Sequence, residues 1–352
     1  MRKVILVILI VCLSFGTCFA LIGQGWVQNG SKMANVRAIA GLSATKYNVV
    51  QGSCSDGDNM FYFAFMNKSN EHIKVVKMQY INGEFVFIEK SAAFSTYHGN
   101  DMAYIEDLGG IYGNDKIFIT NTMDGFTNHI TVFDVKTMKP ESDIVCRYWK
   151  NYDECLLYEK GKLLESPKDL EYLDELLAEK HGFSAIAYDK ENDRLVVGLA
   201  SEHDLMTFRI SCIGGYIELI PTSYIIQSRS ESTFQGIDCD SDYIYSCWSP
   251  KSGVSTVNRV YKYNWQGKKI KKYDIDKTYE LESLVHDGSM FYGSYHHSYV
   301  HKWTTKKKVK VKVKKVWNKA HTKKIWKYKT KIKKIKHSEV RRDAFVKKLL
   351  FE

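Results

Sequence analysis

The chain lacks the signatures from which a reaction is usually read. No Gly-x-Ser-x-Gly elbow, His-Glu-x-x-His helix or phosphate loop occurs in its 352 residues, which removes the common nucleophile, zinc-helix and nucleotide-cradle arrangements. No cysteine spacing is a zinc pattern. Past residue 20 no apolar stretch is long enough to span a membrane. Acidic residues are scarce at one end only: residues 301–352 hold 21 Lys and Arg against Glu339, Asp343 and Glu352. That is a net of +18, so the +11 of the whole chain leaves −7 for residues 1–300. An acidic body with a strongly cationic tail predicts that the tail meets a polyanion.

The chain opens Met1-Arg-Lys, runs apolar from Val4 to Ala20, and offers small residues at the cleavage positions in Cys18-Phe-Ala20. This predicts a secretory signal peptide over 1–20. An uncleaved anchor is the competing reading, but the run is slightly short and no positive stop-transfer cluster follows it. Cys18 lacks a lipoprotein context. The mature chain is therefore expected to be secreted and extracellular, with no transmembrane anchor after cleavage. Export permits disulfides among Cys54, Cys146, Cys155, Cys212, Cys239 and Cys247, with Cys239–Cys247 and Cys146–Cys155 as candidate pairs. Buried free thiols are the alternative.

A pattern recurs along the body: a polar residue, a few small or apolar residues, Asp or Tyr, a turn, then a hydrophobic strand. It begins at Gln51, Asn100, Ser184, Gln235 and Glu282. Repeats of this length with several strands and tight turns each are the mark of propeller blades. The fold class is therefore all-β, a five-bladed β-propeller over 21–305, with six blades open if the N-terminal segment supplies one. Asn82-Gly83 between alternating strands predicts a tight hairpin. Part of residues 21–50, or a C-terminal strand, is expected to complete the last blade, since a ring must close to remove its edges.

One interval is too long, and the excess at about 146–182 reads as a helical insertion. Ser166 is a suitable N-cap, Pro167 sits at the first helical position and Gly182 lies past the last turn. Leu170, Leu173, Leu176 and Leu177 make one apolar face, which predicts a helix lying on the propeller, either covering a blade or serving as a lid. Residues 306–337 alternate Lys with Val, Ile and aromatics and predict a basic hairpin. Residues 338–352 are expected to form a short C-terminal helix through Phe345, Leu349 and Leu350.

Innermost propeller strands begin near the central channel, so Gln51, Asn100, Ser184, Gln235 and Glu282, flanked by His98, Asp101 and His181, form the candidate ligand site. Amides, a hydroxyl and a carboxylate suit hydroxyl-rich ligands such as sugars, or calcium. The plain alternative is that they satisfy one another at a crowded hub. His286, His296, His297 and His301 cluster in the last blade as a weaker metal candidate. The tail residues Lys308, Lys310, Lys312, Lys314, Trp317, Trp326, Lys327, Lys329 and Lys331 form the candidate polyanion site, since aromatics interleaved with lysine suit polymers. Export argues against nucleic acid as the target.

His98-Gly-Asn-Asp-Met-Ala-Tyr104, with Gln51-Gly before it and Gln235-Gly after, resembles an inner-strand motif of secreted prokaryotic propeller proteins, and the lysine- and aromatic-rich ending is similar to tails of envelope-associated proteins. The resemblance covers about residues 45–300 and supplies no reaction. It implies a cell-envelope location and partners among wall polymers or glycans. The expected function is a non-catalytic binding module without a resident cofactor. A calcium-dependent hydrolase or lactonase using Glu282, Asn100 and Asp101 is the alternative.

Overall fold

The computed structural model describes residues 33–349 and 351 apart from 68, 70, 97, 108–112, 122–128, 146–154, 179–181, 201–202, 214–215, 228–232, 251–256 and 276–278. The expected signal peptide, Cys146 and His181 lie outside the described residues. Two compact units emerge, one built from residues up to His297 together with those from Asp343 onward, the other from Ser298–Arg342.

In chain order, β1 (Ala34–Asn35) and the one-turn helix α1 (Val36–Ile39) lead into a first sheet of β2 (Tyr47–Ser55), β3 (Met60–Asn67), β4 (His72–Ile81) and β5 (Glu84–Lys90), with β6 (Phe94–Ser95) also on β4. The second sheet is β7 (Met102–Ile105), β8 (Lys116–Asn121), β9 (His129–Asp134) and β10 (Lys139–Val145). Then come β11 (Leu156–Glu159), β12 (Lys162–Leu164), α2 (Pro167–Ala178) and the third sheet, β13 (Phe183–Asp189), β14 (Arg194–Leu199), β15 (Leu205–Ile213) and β16 (Tyr216–Ile226). The hairpin β11–β12 widens this sheet by pairing β11 parallel to β16. The fourth sheet is β17 (Thr233–Cys239), β18 (Tyr243–Ser249), β19 (Asn258–Asn264) and β20 (Lys269–Ile275). The fifth is β21 (Glu280–Asp287), β22 (Met290–Trp317), β23 (Lys324–Leu349) and, at its edge, β1.

Each first strand, β2, β7, β13, β17 and β21, packs beside the next, and β21 packs back on β2, so the five sheets form a closed ring. The cores confirm the order. Alternate side chains of a strand enter the two neighbouring interfaces, so Phe61, Phe63 and Phe65 pack toward the fifth sheet while Tyr62, Ala64 and Met66 pack toward the second. Hydrophobic clusters likewise join the second and third, third and fourth, and fourth and fifth sheets. A strand buried on both faces must be apolar at nearly every position, which explains Met60-Phe-Tyr-Phe-Ala-Phe-Met66.

Local signals hold where turn chemistry dictates them. Asn82 and Gly83 both adopt positive φ, 52° and 86°, as a tight hairpin of mirror-image twist requires. At the start of α2 the Ser166 hydroxyl accepts from Asp169 N at 3.3 Å, and the Asp169 carboxylate accepts from Ser166 N at 2.9 Å, a reciprocal cap. Leu173, Leu176 and Leu177 enter the core between the second and third sheets, so the helix covers blades. Leu170 does not join them and is 52% exposed.

Three expectations are corrected. The expected helix over 338–352 is a strand as far as it is described: β23 runs to Leu349, where Ala344, Val346 and Leu349 are buried and Phe345 and Val346 pair with Asn35 and Ala34 of β1. Both chain regions proposed for ring closure therefore take part, and Arg37 Nε donates to Asp343 Oδ1 at 2.7 Å across that seam. Disulfides are absent among the described cysteines, since Cys54, Cys155, Cys239 and Cys247 are free and buried. Cys239 lies in the core between the third and fourth sheets and Cys247 in that between the fourth and fifth, so they point to opposite faces of one sheet. Burial pushes all four thiols up, Cys155 to about 12. Third, the four histidines of the last blade do not converge, as their separate partners below show.

If β23 closes the ring, Leu349→Ala should lower unfolding stability by about 2–5 kcal/mol, the range for a buried leucine. Leu170→Ala, on the exposed side of α2, should change it little. Denaturant unfolding of the two variants decides this, and equal effects would contradict the closure.

Candidate functional site

The repeat register places its first polar residue at a common structural feature. Pairing between first and second strands skips at 51–52, at Ser184, at Gln235 and at Glu282, each a β-bulge in an inner strand. A bulge re-aims one side chain without ending the ladder. The residue that follows is Gly52, Asp101, Ala185, Gly236 or Ser283. Four of these are small, and Asp101 lies against Gly52, Gly236 and Ser283. A Cβ on Gly52 would stand 2.8 Å from Asp101 Cα, and one on Gly236 3.1 Å from Asp101 Oδ2. The two Gln-Gly pairs are thus explained by the aspartate they accommodate.

Asp101 is fully buried. Its Oδ2 accepts from Ile186 N at 3.2 Å and Ile237 N at 3.0 Å, and its Oδ1 accepts from the Ser283 hydroxyl at 3.1 Å. Ser283 in turn accepts from Ser53 N at 3.1 Å and Ser53 Oγ at 2.9 Å. One carboxylate from the second sheet therefore ties the third, fourth and fifth sheets directly, and the first through Ser283. Burial pushes this carboxyl well up from its ordinary range, against the donors that favour the ionised form.

Where the inner strands begin, a polar cluster forms. Gln51 Nε2 donates to Glu282 Oε2 at 3.4 Å, and Gln235 Nε2 donates to Glu280 Oε1 at 3.1 Å and to Ser249 Oγ at 2.8 Å. His296 Nδ1 contacts Glu282 Oε1 and lies 3.4 Å from Glu280 Oε2. Glu280 and His296 are direct cross-strand partners, and the bulge turns Glu282 toward them. Among the described residues, Glu280, Glu282 and His296 bring their ligand atoms within 4.8 Å of one another. These are the groups able to hold a metal.

Where the inner strands end lies a cavity of about 120 Å³, lined by all five. Asp56, Glu106, Asp189, Glu191, Asp238 and Asp240 face Lys190 and His286 in its wall. His286 Nδ1 is 2.9 Å from Asp238 Oδ2. That carboxylate raises the imidazole from 6.5 to about 9 against the opposing effect of burial.

Of the predicted ligand residues, the structure joins Gln51, Gln235 and Glu282 through the cluster with Glu280 and His296. Ser184 donates to Gly198 O at 3.2 Å. Burial lowers the His98 imidazole, and a side-chain hydrogen bond with Asn100 opposes that shift. Asp101 accepts from the axial donors, whereas Glu282 accepts from Gln51 and contacts His296. The last-blade histidines disperse: His296 to the glutamates, His286 to Asp238, His297 against Tyr279 and His301 against Trp303. Sequence reasoning missed Glu280; its signal was a second carboxylate two positions before the repeat residue.

In the unit Ser298–Arg342, Lys308, Lys310, Lys312, Lys314, Lys327, Lys329 and Lys331 are all exposed, as are Trp317 and Trp326. Lys312 and Lys315 place Nζ 5.3 and 5.5 Å from the Trp326 ring, and Lys324 lies 5.3 Å from that of Trp317. Trp303 stacks on His301 and His337.

Two outcomes test the hub. Asp101→Ala leaves Ile186 N and Ile237 N buried and unpaired, so it should cost about 2–6 kcal/mol, whereas Asp101→Asn keeps an acceptor and should cost less. Equal small losses in denaturant unfolding would refute the axial role. Because the folded pKa of His286 lies above its ordinary value, its contribution to stability is complete below about pH 6.5 and is lost as pH rises through about 9. His286→Gln should therefore flatten the stability profile between those values, and an unchanged profile would count against the pairing.

No protein-family model matches the chain, and no curated protein matches it significantly. Solved structures with similarity include the Dos1 propeller, at 13% identity and TM-score 0.33, covering 70% of this chain and 53% of that one. The Swd1 β-propeller domain of Myceliophteria thermophila has 8% identity and TM-score 0.34, covering 67% and 63%. Regucalcin from Agrobacterium tumefaciens, a calcium-binding protein, has 11% identity and TM-score 0.35, covering 71% and 83%. The chain thus spans less than two thirds of the first two. Propellers recur among these neighbours, and the architecture of this chain is an all-β propeller.

Proposed function

We propose that this chain is a non-catalytic binding module of the cell exterior. In this reading its propeller recognises a glycan or other polar envelope component at the hub, and its basic ribbon binds an anionic surface polymer. The observation that carries the reading is the confinement of charge. Residues 298–342 contain 19 Lys and Arg and a single acid, Glu339, and every lysine among them is exposed. Paired strands hold the lysines of alternating stretches on one face of a ribbon, which gives a dense cationic surface that needs no shaped pocket. Exposed aromatics beside them supply stacking area for sugar rings or polymer backbones. At the hub, amides, carboxylates and an imidazole at one end and an acidic cavity at the other offer hydrogen-bonding surfaces suited to hydroxyl-rich ligands.

Binding by such a ribbon should weaken steeply with salt, because exposed charges are screened over about 10 Å at 0.1 M. Truncation is a poor test, since ending the chain at Trp303 also removes Ala344, Val346 and Leu349 from the core. Replacing Lys308, Lys310, Lys312, Lys314, Lys327, Lys329 and Lys331 by Gln keeps the strands. The wild-type chain should be retained on immobilised anionic wall polymer and elute with NaCl, while the seven-Gln variant should elute near the void. Equal retention of both, or retention indifferent to salt, would sink the ribbon's role. Glycan-array binding that persists in the seven-Gln variant would locate the second activity in the propeller.

A further inference from the structure

The geometry points to a binding site for one divalent transition-metal ion of the zinc class at Glu280, Glu282 and His296. This proposal is independent of the polyanion reading, since none of its residues belongs to Ser298–Arg342. Glu280 and His296 face one another as cross-strand partners, and the bulge at Glu282 adds a second carboxylate to the same side. The three side chains bring ligand atoms within 4.8 Å of one another. Bonds of about 2.0–2.2 Å to a central ion then require inward movement of about 1 Å or less, within the reach of glutamate rotamers.

A second observation distinguishes this cluster from a chance meeting of charges. Each glutamate has one oxygen bound by an amide and the other turned toward the imidazole. Gln51 donates to Glu282 Oε2, leaving Oε1 against His296 Nδ1, and Gln235 donates to Glu280 Oε1, leaving Oε2 at 3.4 Å from the same nitrogen. Outer hydrogen bonds that fix ligand orientation are what a metal centre requires. A simple ion pair between His296 and Glu282 accounts for neither Glu280 nor the second amide. The donor set selects the ion class: an imidazole nitrogen with two carboxylates suits zinc-type ions, whereas calcium takes six to eight oxygens. Three protein ligands leave a fourth position for water or for a ligand oxygen.

The test is titration of the purified full chain with Co²⁺, followed by its visible ligand-field bands, with Zn²⁺ and Ca²⁺ as competitors. One equivalent of Co²⁺ should bind per chain, Zn²⁺ should displace it and Ca²⁺ should not. His296→Gln and Glu282→Gln should abolish the bands, and Gln51→Ala or Gln235→Ala should weaken binding about 10-fold or more. Glu280→Gln alters a partly exposed group and guards against loss of fold in the buried variants; it too should weaken binding. Absence of saturable uptake, bands that survive both His296→Gln and Glu280→Gln, or displacement by Ca²⁺ would each overturn the proposal.

Discussion

A ring of sheets leaves the inner edge of every first strand without a neighbouring strand, and its backbone N–H groups point at the axis. Those donors must be satisfied within the protein, because buried unpaired amides are costly. Here one carboxylate meets part of that demand. Asp101 accepts Ile186 N and Ile237 N and the Ser283 hydroxyl, while Ser283 receives Ser53 N. The sizes of the five axial residues follow from this choice. With an aspartate from one sheet crossing the axis, two of the others are glycine: a side chain at Gly52 would meet Asp101 backbone at 2.8 Å, and one at Gly236 would meet its carboxylate at 3.1 Å. The plug also divides the hub chemically. Amides, glutamates and His296 stand where the strands begin; the acidic cavity holding the His286–Asp238 pair lies where they end.

The rest of the ring is held by five apolar interfaces, each shared by two sheets. Because each strand serves two interfaces, a polar substitution on either face is as damaging as in any core, and the strands read as nearly continuous hydrophobic runs. The last sheet differs in origin. Its inner strands come from β21 and β22, but its outer strands come from the returning end of β23 and from β1, so the ring is closed by residues far apart in sequence. The Arg37–Asp343 pair spans a separation of 306 residues at that seam.

The repeat was legible because its register is local: a polar bulge residue, a small axial residue and a strand recur within each blade. Asn82-Gly83 and the Ser166 cap were legible for the same reason. The identity of Asp101 as the plug was encoded as well, as the one large residue among small ones at the second position, but its meaning depends on the other four strands. What stayed hidden depends on tertiary partners. Phe345, Leu349 and Leu350 suit a helix face as well as a strand, and only pairing with β1 and burial of Leu349 decide between them. Leu170 has the spacing of a core residue on α2, yet it faces away from the core and is 52% exposed. Cys239 and Cys247 lie on neighbouring strands, and the pleat sends them to opposite faces. Glu280 gains significance only once the pairing with His296 is known.

The ribbon poses the reverse problem, since its pattern is plain but a packed partner is not. Alternation of Lys with Val, Ile and aromatics is the arrangement of a sheet with one buried face, yet Val313, Tyr328 and Ile332 are exposed by 56%, 56% and 64%. Lysine at every second position discourages edge-to-edge pairing with further strands. Cation–π contacts from Lys312, Lys315 and Lys324 engage Trp326 and Trp317 within the ribbon itself, which holds part of the aromatic surface in place without an external core. A segment so built has little reason to carry +18 of charge for its own folding, because like charges along a strand pair oppose its formation. The proposed binding of an external anion rests on charge of that density, set against an acidic remainder of −7 over residues 1–300.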